Sequence, residues 1–176
     1  MKLRFARPVA LALAALLTTS SAWSQVTEMD FLVAARAIGF IDSLRPGALN
    51  VGVVYAPGNA QSEQQARELA AFMADGRRVG NFVMQPVLLP IDQVSTRNIG
   101  LFFLTQGVGN EARKVASASR SRKIPCITYD LIQVRAGNCT MGVRTEPRIE
   151  VLVNGAAAAA SGTDFAAVFR MMITEI

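Results

Sequence analysis

The sequence predicts an α/β protein: a three-layer sandwich around a mostly parallel sheet, finished by a C-terminal hairpin and a closing helix. Three observations carry this prediction. Short, nearly uncharged runs such as 49–55 and 99–104 read as strands buried on both faces. Segments with helical apolar spacing alternate with those runs through two thirds of the chain beyond residue 26, which argues for right-handed crossovers between parallel strands. The last third breaks the alternation, with two apolar runs on either side of Glu146-Pro147.

The elements follow in order. Residues 27–44 read as a first helix. Thr27 stands as N-cap with Asp30 three positions on, and Phe31, Ala35, Ile38 and Ile41 form an apolar stripe. Pro46-Gly47 ends it, and 49–55 is the first strand. After the breaker Ala56-Pro57-Gly58-Asn59, a helix runs from about Gln61 to Asp75 with Ala66, Leu69, Ala70 and Met73 inward and Gly76 as its stop. Strands are expected at 82–89 and 99–104, with a short helix or turn at 91–96. A helix covers roughly 110–122, and a fourth strand 125–129. Residues 131–137 read as turn-like. Residues 141–144 and 148–154 form the hairpin, and a last helix covers much of 156–174, split or recapped at Ser161-Gly162-Thr163-Asp164. Such an object is comparable to one lobe of a periplasmic binding protein.

The N-terminus decides which residues belong to that object. Lys2, Arg4 and Arg7 form a cationic region, Val9 to Leu17 an apolar core, and Ala22-Trp23-Ser24 a small-x-small cleavage site. The apolar core is shorter than the roughly 20 residues of a membrane span. The expectation is a signal peptide cleaved near Ser24, leaving 25–176 as one domain acting in the periplasm. Cleavage removes three cations and no acid, so the formal charge falls from +5 to +2. The basicity of the whole chain therefore belongs largely to its leader, and nucleic acid is not an expected partner. Arg113, Lys114, Arg120, Arg122 and Lys123 read as the solvated face and C-terminal cations of one helix. Residues 149–173 are apolar on average but are interrupted by Glu150, Asn154, Asp164 and Arg170.

The chain contains no histidine, which removes Ser-His-Asp and Cys-His catalysis and His-containing zinc sites. Its acidic residues recur at no spacing typical of a glycosidase dyad or a calcium loop. No cofactor or metal is called for, and the expectation is a protein that is not an enzyme. Gly107 and Gly109 precede a helix and could cradle an anion on its N-terminus. The dinucleotide fingerprint would need a third glycine where Ala112 stands, so turn chemistry is the simpler reading.

Cys126 and Cys139 are the only cysteines. Export would place them in an oxidising compartment, and neighbouring strands bring them within reach. The expected pairing is a structural disulfide closing a loop of about 14 residues, worth roughly 3 kcal/mol by chain entropy. The rival readings are two buried thiols or a redox-active pair, and the spacing is far from Cys-x-x-Cys.

One stretch carries a family resemblance. Arg135-Ala136-Gly137-Asn138-Cys139-Thr140-Met141-Gly142-Val143 precedes Arg148-Ile149-Glu150-Val151-Leu152-Val153-Asn154, an alanine-rich segment from Gly155 to Gly162, and a tail with Phe165, Val168, Phe169 and Met172. This resembles the end of the YfiR-like family of small periplasmic proteins. The upstream order of signal peptide, helix, strand beginning Val-Gly-Val and helix is similar too, so the likeness spans most of 27–176. Asn154 would cap the following helix, and Ala157 and Ala158 would let it approach the sheet. The chain departs from the family at Gly137-Asn138, where the double glycine is broken, and at 161–165, where Ala-Gly-Leu-x-x-Ser is replaced.

The resemblance implies a non-enzymatic regulator that binds the periplasmic part of a membrane diguanylate cyclase, or another membrane sensor, and holds it inactive. Cyclic di-GMP output, and with it biofilm formation, would follow its release. The alternative is a small-ligand sensor using the loops at 56–60 and 105–110, where α/β sheets place ligands. A polar-rimmed pocket there would favour the sensor; a flat apolar surface, with homodimerisation, would favour the regulator.

Overall fold

Eight strands form a single sheet in the computed structural model, which describes residues 26–176; the expected signal peptide lies outside the described residues. The strands are β1 (Gly47–Tyr55), β2 (Arg78–Val79), β3 (Phe82–Pro90), β4 (Leu101–Leu104), β5 (Cys126–Thr128), β6 (Met141–Arg144), β7 (Glu150–Val153) and β8 (Thr174–Glu175). Their spatial order is β2-β3-β1-β4-β5-β6-β7-β8. The five strands from β3 to β6 are mutually parallel, with Val51 of β1 beside both Pro86 and Leu101. Antiparallel β2 and β7 flank them, and β8 lies parallel to β7 at the edge. The parallel core is the doubly wound arrangement in which the chain starts centrally, adds one strand outward, then reverses direction.

Six α-helices among the described residues complete the three layers: α1 (Glu28–Ile38), α2 (Ala60–Phe72), α3 (Ala112–Arg122), α4 (Leu131–Arg135), α5 (Gly155–Ser161) and α6 (Ala167–Arg170). Alternation along β4 shows why both faces must be covered. Leu101 and Phe103 join a core with Phe31 and Ile38 of α1 and Leu69 of α2. Phe102 and Leu104 join a second core with Val115 of α3 and Val134 of α4. Each side chain is at most 1% exposed, so β4 is a strand with no solvent face. The α/β sandwich, the mostly parallel sheet and the β6–β7 hairpin are thus as predicted.

Other boundaries differ from the sequence reading. Helix α1 stops at Ile38, where Gly39 caps it, rather than running to 44. Residues 131–137 contain a true helix, α4, because the Asp130 side chain accepts from the Ile132 amide and starts it. The predicted closing helix is the largest correction. It ends at Ser161, because Gly162 adopts the left-handed conformation (φ +63°) that closes a helix. Phe165 then bridges to Ile41, the Ala166 amide donates to the Phe40 carbonyl, and only 167–170 turn helical again. The segment finishes as the edge strand β8.

Candidate functional site

In a doubly wound sheet, ligands bind outside the carboxyl ends of the strands where the direction of winding reverses, here between β1 and β4. The loops are those singled out in the sequence, yet the protein's own groups span the gap. Asn59 Nδ2 donates to the Gly107 carbonyl at 3.1 Å, and the Ser62 and Thr105 hydroxyls meet at 2.6 Å. Gln65 Oε1 accepts from the Gln106 amide at 2.6 Å, and Ser62 Oγ accepts from the Ala56 amide. The first turns of α2 are thereby fastened to the loop after β4. Ser62 and Thr105 are fully buried.

Gly107 and Gly109 both have positive φ, 78° and 53°. A Cβ on Gly107 would also meet the Asn59 carboxamide at 3.1 Å. Turn geometry and the close approach of Asn59 account for glycine at 107. Helix α3 starts at Ala112, after a 3-10 turn over 109–111.

A polar cleft instead opens one strand further along, where β4, β5 and β6 end. It has a volume of about 250 Å3 and is lined by Asp30, Gln106, Tyr129, Arg144, Thr145 and Glu146, among others. Three different causes place these side chains. Asp30 is held by the capping box of α1: its carboxylate accepts from the Thr27 amide at 2.7 Å and the Thr27 hydroxyl at 2.8 Å, while Thr27 Oγ1 accepts from the Asp30 amide. Thr145 follows β6 and donates its hydroxyl to the other Asp30 oxygen. Tyr129 follows β5 and packs its ring on Phe103, with centroids 5.1 Å apart.

The Tyr129 hydroxyl is shielded from solvent and has no hydrogen-bond partner, the one side-chain polar atom among the described residues in that condition. Burial pushes its phenol well above the ordinary value, and the nearby Asp30 carboxylate raises it further. It therefore stays protonated. Arg144 forms an ion pair with Glu150, and the Arg135 guanidinium lies 3.9 Å from the same carboxylate.

The remaining predicted residues serve the architecture. Cys126 and Cys139 are joined in a disulfide, with Cα atoms 4.8 Å apart and both residues buried. It ties β5 to the turn before β6. Asn154 is the N-cap of α5, its Oδ1 accepting from the Ala157 amide at 2.9 Å. Ala158 is buried and Ala157 half-buried, and α5 packs against α3. The sequence reading missed the Tyr129 cleft, although Tyr129-Asp130 at the carboxyl end of a predicted parallel strand was an available signal.

Comparison with known proteins bears on the fold. No family model matches the chain, and no curated protein sequence matches it. Among solved structures, a conserved domain protein from Vibrio cholerae O1 biovar El Tor is similar, with a TM-score of 0.57 and 15% identity over 84% of this chain. An ABC domain from Streptococcus pneumonia, solved in complex with L-Trp, is similar with a TM-score of 0.57 and 11% identity over 84% of this chain. The chain spans about three fifths of each, 59%. At these identities the likeness shows the α/β fold alone. No described helix is long and apolar enough to cross a membrane.

Proposed function

We propose that this protein is an exported, non-catalytic regulator that binds the periplasmic part of a membrane diguanylate cyclase and holds it inactive. The observation that carries the reading is an exposed apolar surface on the closing segment. Val168, Met171 and Met172 are 51%, 81% and 61% exposed, while Phe165 and Phe169 of the same segment are buried. Phe169 stacks on Phe40 with ring centroids 4.9 Å apart, anchoring a segment whose outer side chains remain unpaired with the core. Methionine suits such a surface because its flexible, polarisable side chain adapts to a partner. The resemblance of 135–162 to YfiR-like proteins supplies the partner class, and the capping role of Asn154 agrees with that resemblance.

Repression needs only differential affinity: a domain that binds the inactive cyclase better than the active one shifts the population toward the inactive state. The disulfide supports the exported location, since such bonds persist in oxidising compartments. Deleting the gene in a strain with an active membrane cyclase should raise cyclic di-GMP. An unchanged level would overturn the reading.

The second reading, a small-ligand sensor, draws on one observation: a structural neighbour was solved with L-Trp. The winding-reversal loops, however, are bridged by Asn59–Gly107 and Ser62–Thr105, which leaves that crevice filled by protein.

A further inference from the structure

The cleft bounded by Asp30, Tyr129 and Thr145 is explained neither by the fold nor by the apolar surface. Capping accounts for one oxygen of Asp30, which Thr27 occupies twice. It does not account for a phenol buried without a partner beside a carboxylate, because a phenylalanine would fill the same place against Phe103 without burying an unsatisfied hydroxyl. Such a group at the carboxyl ends of parallel strands points to a ligand.

Charge decides the class of that ligand. The cleft holds two carboxylates, Asp30 and Glu146, and one cation, Arg144. Arg144 is already paired with Glu150, whereas neither Asp30 nor Glu146 has an ion-pair partner among the described residues. The site is therefore net acidic and lacks a free cation for a carboxylate or phosphate. Its volume of about 250 Å3 lies below the roughly 300 to 1,000 Å3 of drug-sized sites, so the ligand is small.

We propose that this cleft binds a small organic amine, whose ammonium group donates to the Asp30 carboxylate and to the Tyr129 phenol oxygen. Glu146 and Gln106 also line the cleft and receive the remaining polar end. Thr145 occupies Asp30 Oδ1 and the phenol oxygen is covered in the free protein, so entry must turn the Thr145 hydroxyl away from Asp30 and open a path to the phenol. A hydrogen bond between two ionised groups then replaces one donated to the carboxylate by a neutral hydroxyl. The phenol, held protonated by its surroundings, keeps its lone pairs for the ammonium. The site does not depend on a cyclase being the partner.

The test uses the purified exported chain, with putrescine and ethanolamine as probes, erythritol as a neutral control of similar size, and sodium chloride matched for ionic strength. Titration calorimetry and thermal shift should show saturable binding of at least one amine and none of erythritol. Tyr129→Phe breaks no hydrogen bond of the free protein and should keep the fold while weakening amine binding about tenfold, the loss expected for one hydrogen bond to a charged group. Asp30→Asn also loosens the cap of α1, so Glu146→Gln, at the rim, serves as the second variant and should weaken binding less than Tyr129→Phe. The proposal fails if neither amine binds saturably, if erythritol binds equally, or if Tyr129→Phe binds the amine as the unaltered protein does.

Discussion

The Asn154 side chain donates from Nδ2 to the Val134 carbonyl at 3.0 Å while its Oδ1 caps α5 through the Ala157 amide. One carboxamide thus closes the C-terminal end of α4 and opens α5. Asn154→Ala should remove both bonds and cost about 1 to 2 kcal/mol, chiefly the lost cap, because the Val134 carbonyl still accepts from the Gly137 amide. Asn154→Asp should keep the cap, lose the donation to Val134 and set a carboxylate oxygen against that carbonyl. Urea denaturation of both variants checks the order: Ala less stable than Asp, and Asp less stable than the unaltered protein.

A similar close fit constrains Gly142 in β6. A Cβ there would lie 2.6 Å from Leu131 Cδ2 and 2.7 Å from Val134 Cγ2, because α4 rests directly on the strand. Gly142→Ala should therefore destabilise by about 1 to 3 kcal/mol, the usual cost of overpacking a filled core. A midpoint equal to that of the unaltered protein in denaturant would contradict this packing.

How much of this was legible beforehand depended on the length of each element. Strands β1 and β4 could be read directly because every residue of Val51–Val54 and Leu101–Leu104 is buried, leaving uncharged runs. Strands β2 and β8 span two residues each at the sheet edges, too short for any periodicity. The closing segment was misread because Phe165 and Phe169 have helical spacing, yet Phe165 is drawn out of the helix by its bridge to Ile41. The cleft was hidden for another reason. Its side chains come from positions 30, 106, 129 and 144–146, which only the sheet order assembles.

The disulfide closes a short loop between β5 and the turn before β6, and Thr140 beside it accepts from the Cys126 amide at 3.3 Å. Cys126→Ser with Cys139→Ser should lower stability by roughly 2 to 4 kcal/mol. Alkylation of the purified protein under denaturing, non-reducing conditions should label no thiol. Two labelled thiols would contradict the bond.

Tyr129 makes stability sensitive to alkali. Its phenol is raised above the ordinary value of 10.0 in the folded protein, mainly by burial and secondarily by Asp30. Above about pH 10 the unfolded chain releases this proton while the folded protein retains it, so stability falls as pH rises; below that value the group contributes no pH dependence. Tyr129→Phe should flatten the decline in melting temperature between pH 10 and pH 12, in the order-of-magnitude window set by the ordinary phenol. An equally steep decline in the variant would contradict the assignment.

The regulatory account rests on the surface carried by Met171 and Met172, and it is tested most directly by cellular cyclic di-GMP in a deletion strain carrying a membrane diguanylate cyclase. Complementation with the unaltered gene should restore the low level. Complementation with Met171→Glu/Met172→Glu, shown to be exported and to melt as the unaltered protein does, should leave it high. A cyclic di-GMP level that the deletion does not change, or that the double variant restores fully, would contradict the account.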